Sequence, residues 1–239
     1  MTDWTSGARS TPPHSPPSPP TKSPIPNLHA AECPFCATPV VTDKKTPYKW
    51  GKANVIRFRG AKPDFKDAFE HTLASKYRSE NEDIAIIACG PSVPEAMRAA
   101  WILKAEYGIE TRILNVHTVK PLDVTAIVKA AGDCGVAVTA EEHQIGGFGN
   151  KVAAAISRSE KLYGKPVVVG MIGVKDRFGE SGAPWELVKE FEVSAEHIAV
   201  EAKRLYDLKV AKLTGGRGSA KPAAKKAPAR TAKKSTAKK

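Results

Sequence analysis

The stretch that decides the fold runs from Asp83 to Ala100 and reads DIAIIACGPSVPEAMRAA. Its first part, Ile84 to Ala88, is a short uninterrupted apolar run, the pattern of a strand buried on both faces. Gly90-Pro91 breaks the run. Ser92, with Glu95 three residues later, makes a capping box that opens a helix. Ala96, Ala99, Ala100, Leu103 and Tyr107 supply the apolar face of that helix, and Gly108 ends it.

The same cycle repeats downstream. Thr111 to Val116 reads as the next strand, after which Pro121 and Asp123 start a helix that packs Val124, Ile127 and Val128 before Gly132. Gly135 to Thr139 is a third strand, and a glycine loop leads into a helix from about Asn150 to Arg158. Pro166 to Ile172 is a fourth. Pro184 opens a short helix to Phe191, and Ser194 caps a last one with Ile198, Ala202 and Leu205 on one face. Four β-then-α units with short connections predict a three-layer α/β/α fold around a mainly parallel sheet. The functional loops of such a sheet lie at the carboxyl ends of its strands, here Cys89 to Ser92, His117 to Pro121, Thr139 to Gly149 and Gly173 to Gly182. Upstream, Asp64 to Tyr77 reads as an amphipathic linker helix, with Phe65, Ala68, Phe69 and Leu73 at helical spacing.

The chain has 239 residues, 41% of them hydrophobic, which is ample for one well-packed domain. The ends are different in kind. Between Thr11 and Pro26 the sequence is mostly Pro and Ser, so residues 1–30 are expected to be a disordered leader. The formal net charge is +12, and nine cations with no acid fall between Gly215 and Lys239, leaving 12 less 9, or +3, for the rest. Residues 214–239 therefore read as a disordered Lys/Ala-rich tail around a nearly balanced body. No apolar run approaches the ~20 residues that cross a bilayer, so no membrane is implied. Met1-Thr2-Asp3-Trp4 lacks a signal-peptide pattern. Four cysteines are too few for a disulfide framework and read as reduced thiols of a cytoplasmic protein.

Four features carry possible chemistry. Glu141, Glu142 and His143, followed by Gly146, Gly147 and Gly149, place carboxylates beside an imidazole. That pairing suits proton transfer, while acids before a helix also cap it and glycines let the backbone turn; the loop is read as an interface or cleft surface. His29, Cys33 and Cys36 have ligand-like spacing, but a single Cys-x-x-Cys does not close a tetrahedral zinc site. Cys89 and Cys134 read as small core residues. Arg57 and Arg59 end an apolar segment where a guanidinium fork suits a phosphate, with a solvated surface pair as the alternative. The lysine tail is able to hold nucleic acid unspecifically through counterion release, or to be merely solvated.

Taken in order, Asp83 to Gly90, Glu95-Ala96, Thr111 to Val116 with Lys120-Pro121-Leu122-Asp123, the Glu141 to Gly149 loop, and Phe178 to Pro184 with Glu186-Leu187 resemble the C-terminal domain of the transketolase family. That domain is shared with 1-deoxyxylulose-5-phosphate synthase and the beta subunits of 2-oxo acid dehydrogenases. The resemblance covers about Asp83 to Leu205, giving a C-terminal-type domain over 83–213. Residues 31–82 become a remnant of the pyrimidine-binding domain plus linker helix. Thr46 to Arg57 is similar to the last strand of that preceding domain, where an arginine at Arg57's position helps hold a sugar phosphate. The family's Gly-Asp-Gly signature with a following Asn is absent, as is nearly all of the pyrimidine-binding domain. The resemblance thus implies a domain or subunit supporting two-carbon ketol transfer between sugar phosphates only with a partner chain that carries the thiamine diphosphate and Mg sites. The chain alone is expected to bind no cofactor and to hold no catalytic residue. A homodimer is a possible assembly. A non-catalytic polyanion-binding module and a beta-type oxo-acid dehydrogenase subunit are the alternatives.

Overall fold

The computed structural model describes residues 32–33, 36–62 and 64–213. The leader, His29 and the basic tail lie outside the described residues. A short antiparallel pair, β1 (Glu32–Cys33) and β2 (Cys36–Pro39), precedes the main body. The body follows as β3 (Asn54–Phe58), β4 (Phe69–Leu73), β5 (Ile84–Ala88), α1 (Ser92–Tyr107), β6 (Thr111–Asn115), α2 (Val124–Cys134), β7 (Val136–Gln144), α3 (Phe148–Ser157), β8 (Val168–Val174), α4 (Pro184–Glu190) and α5 (Ala195–Leu213). Strands β3 to β8 form one six-stranded sheet in the order β4-β3-β6-β5-β7-β8. The four strands β6, β5, β7 and β8 are parallel, and β3 and β4 are antiparallel.

The central strands are apolar on both faces because both faces are covered. Ile84, Ile86 and Ala88 of β5 point toward α1 and α5, with Met97, Leu103, Ile198 and Leu205. Ala85 and Ile87 point the other way, against Ile127, Val128, Phe148 and Val152 of α2 and α3. Each isoleucine removed wholly from water contributes about 1.5–3 kcal/mol. Gly108 closes α1 in the left-handed region at φ 68°, where its backbone N–H bonds the last turn. The three-layer α/β/α fold is as the periodicity predicts.

Two local expectations give way. Asp64 to Tyr77 is not a helix: Lys66–Ala68 and Ala74–Lys76 are single 3-10 turns, and β4 lies between them. The helical spacing of Phe65 and Phe69 is real, but both rings serve a tertiary contact. Phe69 pairs across the ladder with Phe58, at 5.4 Å between centroids, and meets Phe65 at 5.2 Å. Packing there outweighs local propensity.

The capping box at Ser92 does not form either. The helix takes Pro91 as its N-cap without a side-chain bond. Glu95 turns away, and its Oε2 accepts from the backbone N–H of Ala195 at 2.8 Å, the first residue of α5. The sheet continues across the expected boundary at residues 82/83. Asn54 to Ile56 of β3 pair directly with Asn115 to Ile113 of β6, so β3, which lies within 31–82, belongs to the same sheet as the downstream strands.

Candidate functional site

The carboxyl ends of β5, β6, β7 and β8, together with the amino end of β3, gather the loops on which the sequence places function. Strand β7 runs farther than Thr139, to Gln144, so Glu141, Glu142 and His143 lie on the strand. Glu141 is fully buried. Its carboxylate accepts from the backbone N–H groups of Gly146 (3.3 Å), Phe148 (2.6 Å) and Gly149 (3.1 Å), and lies 2.8 Å from Nε2 of His143. It therefore caps α3, where the helix dipole favours a negative group. With three N–H donors and the imidazole on its oxygens, it is a positioning carboxylate for the loop. Glu142 and the His143 ring face solvent. A Cβ on Gly149 would stand 2.8 Å from Thr139 Oγ1 and 3.1 Å from Glu141 Oε1, so glycine is what lets α3 approach the strand.

Between β5 and β7 the strand order reverses, the usual place for a ligand in an open α/β sheet. The thiol there, Cys89, is pushed up to about 11 by burial and by the nearby Glu141 and Glu142 carboxylates. That shift favours the protonated thiol at neutral pH. Burial likewise raises Cys134 to about 12, in keeping with its expected place in the core. Beside these, Asp123 caps α2 by accepting from Ala126 and also accepts from Ala53 N–H at 3.0 Å, which ties the turn before β3 to the loop after β6. On that turn Tyr48 stacks against His117, with ring centroids 4.7 Å apart.

Sequence reasoning missed the apolar rim of this edge. Tyr48 (68% exposed), Trp50 (66%) and Phe178 (96%) stand in water, and Val119 and Ile145 are also exposed. They come from the turn before β3 and the loops after β6, β7 and β8. An isolated exposed aromatic is unremarkable, but several on one edge mark a contact surface. The signal in the sequence is weak, because the four segments become neighbours only through the sheet order.

Arg57 and Arg59 are not brought to this edge. Arg57 is buried at the opposite, amino-terminal side of the parallel strands. Its Nη1 bonds Glu82 at 2.6 Å and the Tyr77 hydroxyl at 3.0 Å, and its Nη2 lies 3.3 Å from Glu110. Arg59 holds Glu70 and Glu80 on the surface. Carboxylates occupy the forks that the phosphate reading assigns to a sugar phosphate. Glu82 also bonds Arg112 at 2.6 Å, and Arg112 reaches Asp133 at 2.9 Å and Ser79 at 2.7 Å.

No group of three or more His, Cys, Asp or Glu among the described residues is arranged to hold a metal. Cys33 and Cys36 are partners in the β1–β2 ladder, and His29, the third expected zinc ligand, lies outside the described residues. The residues at the carboxyl edge do not fit a metal-bound diphosphate, since the buried carboxylates there, Glu141 and Asp123, are occupied by backbone donors. No step of chemistry on thiamine diphosphate is assigned to this chain.

The family model described as "Transketolase, C-terminal domain" matches residues 74–198, just over half of the chain. Among curated proteins, the 6-deoxy-6-sulfo-D-fructose transketolase subunit SqwH of Clostridium sp. is 38% identical over 144 residues, covering 60% of this chain and 42% of that one. A putative transketolase C-terminal section of Methanocaldococcus jannaschii is 44% identical over 121 residues, covering 50% and 36%. The 1-deoxy-D-xylulose-5-phosphate synthase of Thermomicrobium roseum is 40% identical over 121 residues, covering 50% and 18%. The chain thus spans less than half the length of each of these relatives. A solved structure described as split gene transketolase, inactive beta4 tetramer, superposes with a TM-score of 0.57 at 29% identity, over 72% of this chain and 48% of that one.

Proposed function

Since this chain belongs to the transketolase C-terminal domain family, we propose that it serves as the C-terminal part of a thiamine-diphosphate-dependent enzyme of ketol transfer between sugar phosphates. In this reading the cofactor, its Mg ion and the reacting groups sit on a partner chain. This chain shapes and stabilises the assembly through its carboxyl-edge loops. The observation that carries the reading is the apolar rim of Tyr48, Trp50, Val119, Ile145 and Phe178, exposed on a chain whose relatives are themselves named as transketolase subunits or sections. Glu141 supports the rim by fixing the start of α3, and with it the loop that presents Ile145. The polyanion reading of the basic tail falls outside the described residues, and the oxo-acid dehydrogenase reading gains no separate support from the geometry.

The test combines the purified chain with a cofactor-binding partner chain, thiamine diphosphate, Mg, a ketose phosphate donor and an aldose phosphate acceptor. Ketol transfer is expected only in the mixture. Trp50→Ser with Phe178→Ser should weaken the complex by at least about tenfold, as expected for buried aromatic anchors, at an unchanged melting temperature. No complex and no transfer would reject the reading, and a complex indifferent to the double variant would reject the rim as its interface.

A further inference from the structure

On the face of the sheet covered by α2 and α3 there is a groove that meets the carboxyl-edge rim only at Val119. Two adjoining cavities of about 540 and 660 Å³ open along α2, one toward the 3-10 turn Glu160–Leu162 and one toward α3. They share Val124, Arg158 and Ser159. The second is floored by apolar side chains: Val119, Leu122, Val124, Ala154 and Ala155, with Val124 46% exposed on the outer face of its helix.

The walls carry Lys120, Lys151, Arg158, Lys161 and Lys165. None of these five forms an ion pair among the described residues. Several other surface cations are matched: Arg59 holds Glu70 and Glu80, Arg177 holds Glu180 and Glu190, and Arg204 holds Glu201; the groove is set apart by gathering five without an ion pair around one apolar floor. Of the two acids lining the groove, Asp133 is already engaged by Arg112 and Lys129, leaving Glu160 alone. The groove is therefore an apolar trough between unmatched positive charges.

We propose that the α2–α3 groove docks an acidic amphipathic segment of another protein, its small apolar side chains on the Val124 floor and its carboxylates against the lysine and arginine walls. Charge complementarity selects this occupant and speeds its encounter, and an apolar stripe seated in a groove is a common mode of segment recognition. The chain's own tail is a poor candidate, because Gly215 to Lys239 carries nine cations and no acid. A nucleic acid would engage the cations but leave the apolar floor in water, at a cost that an amphipathic segment avoids. The inference stands apart from the ketol-transfer reading.

The test is fluorescence anisotropy with the full chain and three labelled probes: an amphipathic Glu/Leu peptide, a peptide of glutamates alone, and a single-stranded DNA oligonucleotide of similar length. The Glu/Leu peptide should bind most tightly. Lys151→Glu with Arg158→Glu should weaken it at least about tenfold, and Val124→Ser several-fold, at unchanged melting temperature. Three results would each overturn the proposal: no binding of the Glu/Leu peptide; binding untouched by the charge-reversal pair, as attachment to the tail would give; or tightest binding of the oligonucleotide with no response to Val124→Ser.

Discussion

Two arginines converge on Glu82, a carboxylate with no exposed side-chain surface. Burial alone would raise its pKa, but the bonds from Arg112 and Tyr77 outweigh it and hold the group near 2, against 4.5 when free. A lowered carboxyl pKa contributes stability that is complete above the unfolded value and disappears as pH falls through the folded one. The window is thus from about 4.5 down to about 2. Glu82→Gln removes the shared counter-charge of two buried guanidinium groups, each of which keeps another carboxylate partner, and should cost about 1–3 kcal/mol, read by urea unfolding at neutral pH. Between those pH values its stability should also fall less steeply than that of the unaltered protein. Equal slopes would show that another carboxylate controls acid unfolding. At this scale the sequence was partly legible. Glu141 as a helix cap followed from an acid placed before a run of glycines. The fate of Arg57 did not, since its partners Tyr77, Glu82 and Glu110 lie well apart along the chain.

Among the elements, α5 owes its start to a residue on another helix. Glu95 leaves its local role and accepts the Ala195 N–H, while its Oε1 meets Arg98 at 2.5 Å. Glu95→Ala should destabilise the protein by about 1–2 kcal/mol, the scale of a lost cap or charge-assisted bond. It should also speed amide exchange over the first turn of α5; exchange there at the original rate would mean that the cap is not limiting. The parallel strands were legible because they are buried on both faces and read as apolar runs that no surface helix shows. Strand β4 was not. With Glu70 exposed and His71, Thr72 and Leu73 only half-buried, its alternation is faint, and Phe65 and Phe69 suggested a helix. The capping box failed for a related reason: a local partner for Glu95 existed, but a better one arrived through the fold.

At the level of the whole molecule, the strand order separates two histories. Strands β5 to β8 are joined by helices and extend the sheet with each newly made unit. The β3–β4 hairpin precedes them in the chain, yet its seat is the flank of β6, far downstream. Until β6 is in place, Val55, Ile56 and Phe69 have no core to enter, although all three finish buried. Loop closure of that length must be met before the pairing rewards it. The hairpin is therefore expected to be seated late and released early. In native-state hydrogen exchange the β3 amides should open at a lower free energy than those of β5 and β7, and equal protection would make the sheet a single cooperative unit. Arg57 belongs to that hairpin and Glu82 to the body, so on this expectation the buried ion cluster would act as a latch, closing once the hairpin docks.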